Sequence, residues 1–231
     1  MSELGDLLTM EAMDLPAHGR SGGRDRTVTW QMQTVAMAVA IIEKADFPLD
    51  LIGHSFGATV AIRIAVERPD LVRSLTLIEP VFFSAARDAG HVEYDKHLKE
   101  ETEFARELEA GNFAAAAKAF SELWGGPVPW AKLPQKQRDY MIERMELVRD
   151  STDAALGLGP DYIALQQLSD LKIPVLLIEG DQSNPIIAAV QSTLKDVLGN
   201  SKRVIVKGAG HMVPITHPKE VALEIRKFLS R

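Results

Sequence analysis

Apolar positions along the chain follow two alternating periods. Leu49-Asp50-Leu51-Ile52, Ser74 to Glu79, Val175 to Ile178 and Arg203 to Val206 are short runs dense in leucine, isoleucine and valine, the pattern of buried strands. Between and after them the spacing turns helical. Val35, Val39 and Ile42 share one face behind Thr29, a capping residue, in a helix predicted to run to about Lys44. Ala58 to Glu67 reads as a second helix, closed by Pro69, and Val221, Ile225 and Phe228 form a third that starts at Pro218. Strands that are almost wholly apolar and alternate with helices predict an α/β fold, a mostly parallel sheet flanked by helices on both sides. Leu7 to Met13 reads as one more short strand.

Residues 84 to 165 break the alternation, because helical spacing continues there with no strand between. Phe104 and Leu108 mark one helix. Asn112 is placed to cap a second, carrying Phe113, Ala117, Phe120 and Trp124, and Met141, Met145 and Val148 mark a third. Gly125-Gly126-Pro127-Val128-Pro129-Trp130 must be a loop. The predicted organisation is a core of 1–83 and 166–231 with a helical insertion at 84–165.

Composition narrows the function classes. A chain of 231 residues, 46% hydrophobic, is long enough to bury a core without staples, and with no cysteine it has no disulfide framework, thiol nucleophile or cysteine metal site. A formal charge of −6 disfavours nucleic acid and anionic membranes as partners, since both demand a basic face. No apolar stretch approaches the roughly 20 residues that span a bilayer, and the N-terminus lacks the regions of a signal peptide, so a cytoplasmic location is expected. No G-x-G-x-x-G and no paired-histidine helix motif is present, so neither cofactor nor metal is expected.

Candidate chemistry sits at two strand ends. Gly53-His54-Ser55-Phe56-Gly57 lies between a predicted strand and a predicted helix, and a serine on such a sharp turn keeps its hydroxyl accessible while glycines let strand and helix approach. Ser55 is the candidate nucleophile. His211 follows the Arg203 strand on the glycine-rich loop Gly208-Ala209-Gly210, at the carboxyl end of a strand, where open α/β sheets bind ligands.

With these two motifs, Asp14-Leu15-Pro16-Ala17-His18-Gly19-Arg20-Ser21 and Leu75-Thr76-Leu77-Ile78-Glu79-Pro80 complete a resemblance to serine hydrolases of the α/β-hydrolase superfamily. The first of these resembles the loop after that family's fourth strand and the second its sixth strand. The resemblance implies a catalytic triad in which His211 is the base. It also implies that 84–165 forms a cap, with Phe120 and Trp124, together with His54, binding substrate near Ser55, and that the Phe56 N–H serves the oxyanion. The family places the acid three residues after the glycine ending its seventh strand, but counting from Gly180 reaches Ser183. Glu79 and Asp181 are the substitutes, with Glu79 preferred.

The resemblance also implies a gap. The family's first three strands, and the loop supplying a second oxyanion donor, would precede the Asp14 motif. Their lack would leave two apolar strand edges unpaired. The chain is then expected to be either a shortened member that re-pairs its sheet or forms a homodimer over the gap, or a truncated one of weak activity. The implied activity is hydrolysis of small carboxylic esters or lactones. C–C bond hydrolases and cofactor-free haloperoxidases share the serine. Haloalkane dehalogenases and epoxide hydrolases use an aspartate nucleophile and fit less well. A binding or scaffold protein that keeps the fold without catalysis is the alternative from another class.

Overall fold

A computed structural model describes residues 2–45 and 48–230. Four strands, β1 (Leu49–His54), β2 (Val72–Ile78), β3 (Val175–Gly180) and β4 (Ser201–Val206), form one sheet in sequence order with every neighbouring pair parallel. The register sets His54 opposite Ile78, Ile78 opposite Ile178, and Gly180 opposite Val206, so the carboxyl ends line up along one rim.

Among the described residues twelve α-helices flank this sheet. Two precede β2: α1 (Trp30–Ile42) and α2 (Phe56–Glu67). Between β2 and β3 come α3 (Phe83–Asp88), α4 (Val92–Glu100), α5 (Thr102–Glu109), α6 (Phe113–Trp124), α7 (Gln135–Ile142), α8 (Met145–Leu156) and α9 (Leu165–Ser169). Then follow α10 (Pro185–Val197), α11 (Val213–Thr216) and α12 (Pro218–Leu229).

The near-continuous apolar strands are explained by burial on both faces. On one face Leu75, Leu77, Val175 and Leu177 join Ile62 and Ile64 of α2 and Ile186, Val190 and Leu194 of α10 in the main core. On the other, Ile78, Leu176 and Ile178 meet Val221, Ile225 and Phe228 of α12. Each fully buried side chain of this size contributes roughly 1.5–3 kcal/mol. A separate small core inside the insertion joins Phe104, Leu108, Ala116, Ala117 and Met145.

Three readings of the sequence need adjustment. Leu7 to Met13 forms no strand. The Leu7 and Leu8 amides bond back to the Leu4 carbonyl at 3.0 and 2.9 Å, so they close a turn rather than a ladder, and Leu8 and Met10 pack onto the α12 side of the sheet. The Met141–Val148 helix is two helices, α7 and α8, separated at Glu143-Arg144. Asn112 stands at the cap position of α6, but its amide donates to Glu107 at 2.8 Å instead of accepting from the helix. Insertion helix α3 is also part of the main core through Phe83, Ala85 and Ala86. Thr29 does cap α1, accepting from the Met32 N–H at 3.2 Å. Among the described residues no strand pairs with the outer edge of β1, and no helix is long and apolar enough to cross a membrane.

Candidate active site

Ser55 is the single residue between β1 and α2, and the bend is tight enough to force its φ to +54°. Such a backbone costs a non-glycine residue on the order of 1–3 kcal/mol unless its surroundings hold it. Two contacts hold this one. The Ser55 N–H donates to Ile78 O at 2.9 Å, and Gly53 lets the strand press against the helix start. A Cβ on Gly53 would sit 2.4 Å from the Gly57 carbonyl oxygen and 2.6 Å from Ala58 Cα, both backbone atoms. Gly57 faces open space, so of the two motif glycines only Gly53 is sterically required.

The bend points the Ser55 hydroxyl at the loop after β4. Ser55 Oγ lies 3.0 Å from His211 Nε2, and His211 Nδ1 lies 3.0 Å from Glu79 Oε2. A carboxylate only accepts, so Nδ1 carries the proton and Nε2 offers its lone pair to the serine O–H. Glu79 is fully buried at the end of β2. Its other oxygen, Oε1, accepts from the Gly180 N–H and the Ser183 hydroxyl, both at 2.7 Å. Ser183, at the position where the family resemblance places an acid, is thus a donor to the glutamate. Asp181 points elsewhere, its Oδ1 accepting from the Gly208 N–H at 2.6 Å, where it braces the histidine loop.

The remaining predicted residues divide. His54 Nε2 donates to the His211 carbonyl at 2.8 Å, with the rings 5.1 Å apart. Burial, followed by the charge of His211, lowers its pKa to about 4, so it is a neutral brace for the loop. Phe56 opens α2, so its N–H has no acceptor within the helix and stands beside the Ser55 hydroxyl at the positive end of the helix dipole. Trp124 reaches the site, its ring T-shaped against His211 at 5.0 Å. Phe120 packs on Phe104 at 5.6 Å within the inserted helices.

Three contributors went unnoticed in the sequence. Trp30, buried at the start of α1, stacks on Phe56 at 4.3 Å and 10° between planes. Phe83 stacks on Trp124 at 5.7 Å. Glu101 accepts the Trp124 indole N–H at 3.1 Å. The tryptophans had a usable signal, since a buried indole N–H needs an acceptor. Among the described residues no cluster of His, Cys, Asp and Glu could hold a metal ion.

An all-parallel open sheet carrying a strained serine at one strand end, a histidine at another and helices inserted above them is the architecture of an α/β hydrolase. The chain belongs to the alpha/beta hydrolase family, whose model matches residues 3–224. It is 28% identical over 228 residues, 95% of this chain and 82% of the other, to the pimeloyl-[acyl-carrier protein] methyl ester esterase of Neisseria meningitidis. A 93-residue stretch, 40% of this chain, is 34% identical to the dihydrolipoyllysine-residue acetyltransferase component of the acetoin cleaving system of Cupriavidus necator. That match spans about a quarter of the longer protein's length. Among solved structures, Est816, an N-acyl homoserine lactone degrading enzyme, superposes with a TM-score of 0.67 at 17% identity over 93% of this chain and 80% of that one, a likeness of fold. The family and its esterase relative support a hydrolase.

Proposed function

We propose that this chain cleaves carboxylic esters or lactones of small acyl groups through an acyl-enzyme on Ser55. The observation that carries this reading is the unbroken line of hydrogen bonds from Ser55 Oγ through His211 to Glu79, each 3.0 Å long. In the proposed reaction Ser55 Oγ attacks the carbonyl carbon while His211 Nε2 takes its proton. Glu79 holds the Nδ1–H tautomer and stabilises the imidazolium. His211 then protonates the leaving alcohol, activates a water against the acyl-enzyme, and returns the proton to Ser55 as the acid departs. The Phe56 N–H donates to the tetrahedral oxyanion, an interaction worth on the order of 3 kcal/mol of barrier.

Residues 84–165 act in this reading as a cap, with Trp124 as the part that walls the histidine. The meningococcal relative is named for a methyl ester substrate, the same bond class as proposed here. A serine-directed fluorophosphonate and a series of p-nitrophenyl esters of rising acyl length test the proposal. Labelling at Ser55 that disappears in His211→Ala, with ester turnover, is the expected result. A folded protein that neither labels nor turns over any ester would instead be a binding protein on a hydrolase fold.

A further inference from the structure

The inserted helices bury a polar cluster that the proposed reaction does not use. Trp124, 5% exposed, lies at 64° to the His211 ring, and its indole N–H is fixed by Glu101 Oε1 at the junction of α4 and α5. The second oxygen, Oε2, lies 3.3 Å from Nε2 of His97. That imidazole is 1% exposed, neither of its nitrogens has a well-formed hydrogen bond, and its ring sits 4.4 Å from Phe83 and 5.6 Å from Trp124. Among the described residues no lysine or arginine pairs with Glu101. Burying a carboxylate without a fixed cation is costly, and a bland core would fill this space with apolar side chains at lower cost.

We propose that Glu101 is a positioning residue for the reaction. Through the Trp124 indole it fixes the ring that lies against His211 and favours the imidazolium that forms there. The inference rests on the esterase reading above for its catalytic meaning. Its physics is independent of that reading. An indole whose N–H is donated to a carboxylate is richer in π density, and a cation lying against the face of such a ring is attracted to it. The Glu101 charge, one indole away, adds a direct attraction in a water-poor setting. Glu79 thus supports His211 from the Nδ1 side and Glu101 from the cap side.

The groups around Glu101 decide when that charge is present. They are His97 and Glu100 from α4 and the Trp124 indole from α6, while Asn184, which caps α10, is occupied with Glu100 at 3.1 Å. Burial holds His97 down to about 4, so it is neutral near pH 7 and does not cancel the carboxylate. Burial pushes Glu101 up to about 7, so its charge is present above neutrality and withdrawn below it. Facing His211 itself are Glu79 and the neutral His54.

The test follows the His211 ring nitrogens by NMR through a pH titration of the native protein, of Glu101→Gln, which keeps the side chain's size, and of Trp124→Phe, which keeps an aromatic ring but removes the indole N–H. Glu101 carries its charge above about 7, so Glu101→Gln is expected to move the His211 ring-nitrogen shifts above neutrality and to leave them at their native values at about pH 5, with Trp124→Phe changing them in the same range. The kcat for a p-nitrophenyl ester should fall severalfold with KM within about twofold, and a step near pH 7 in the native kcat profile should vanish. A His211 titration that neither substitution moves would overturn the proposal, as would a kcat loss matched by a rise in KM with the pH profile unchanged. The NMR reading needs no turnover, so failure of Ser55 labelling would sink the esterase reading without deciding this measurement.

Discussion

Glu79→Gln is the sharpest perturbation of the site, because the surroundings dictate which way the new amide must face. Glu79 Oε1 receives the Gly180 N–H at 2.7 Å, and a backbone N–H cannot become an acceptor. The amide oxygen must therefore occupy that position, leaving the NH2 to face His211 Nδ1. A donor there drives the histidine into the tautomer with Nε2 protonated, pointing a proton rather than a lone pair at Ser55 Oγ. The base is lost although every heavy atom can stay in place. An aspartate-to-asparagine change at the equivalent role in a serine protease lowers kcat about 10⁴-fold, which is about 5 kcal/mol of barrier, and the same order is expected here. Asp181→Asn is the control, because its Oδ1 serves the Gly208 N–H and an amide oxygen can take over that bond. Its kcat should stay within about tenfold of native. Both variants are assayed with p-nitrophenyl acetate at saturating concentration, with melting curves to show that they are folded. A Glu79→Gln enzyme within tenfold of native, or a folded Asp181→Asn enzyme that is dead, would refute the reasoning.

The same structure sets three further expectations. Gly53→Ala drives a Cβ into the Gly57 carbonyl, backbone against backbone, and should cost about 3 kcal/mol or more in a urea melt, whereas Gly57→Ala should be neutral or stabilising by up to about 1 kcal/mol. Trp30→Ala removes a buried ring stacked on Phe56 and should cost about 3–5 kcal/mol in the same melt. Glu101 is raised from 4.5 to about 7, so the folded protein keeps a proton that the unfolded chain sheds, and this contribution is full below pH 4.5 and lost as pH rises through 7. Glu101→Gln should accordingly gain stability relative to native by about 3 kcal/mol between pH 4.5 and 7 in parallel denaturant titrations, and a constant difference would contradict the assignment.

Much of the scaffold was legible because burial leaves a mark on composition. β3 is buried at all six positions, and its sequence from Val175 to Ile178 is wholly aliphatic. Leu7 to Met13 misled for the complementary reason. Its apolar residues suit a sheet surface, but pairing needs open backbone groups, and the two leucine amides are already bonded to Leu4. The bend that carries Ser55 and the loop that carries His211 were legible from local motifs, since a bend between strand and helix specifies the serine's setting. The acid was harder to read. Glu79 and Asp181 both follow strands, and what separates them is the direction each side chain takes, which the pattern of residues does not encode. Trp124 and Phe120 share the same helix and the same period, yet one meets His211 and the other Phe104. Glu101 follows Glu100 in a charged stretch with no motif to single it out, and only the fold brings it under an indole.

The geometry of the site follows from a bend that is made twice. Ser55 and Glu79 both leave their strands at positive φ, +54° and +51°, at the ends of neighbouring parallel strands whose last residues, His54 and Ile78, are opposite each other. Each bend is held by the next strand over: the Ser55 N–H donates to Ile78 O and the Glu79 N–H to Ile178 O, both at 2.9 Å. The strain is therefore borne by the sheet ladder itself, extended by one hydrogen bond at each strand. Two successive bends in one direction turn both side chains over the rim about one strand spacing, roughly 4.8 Å, apart. An imidazole entering from the loop after β4 then bridges them, with one nitrogen to each. The parallel register that positions the nucleophile thus also positions the glutamate, and a slip of one residue between β1 and β2 would separate the pair as surely as removing either side chain.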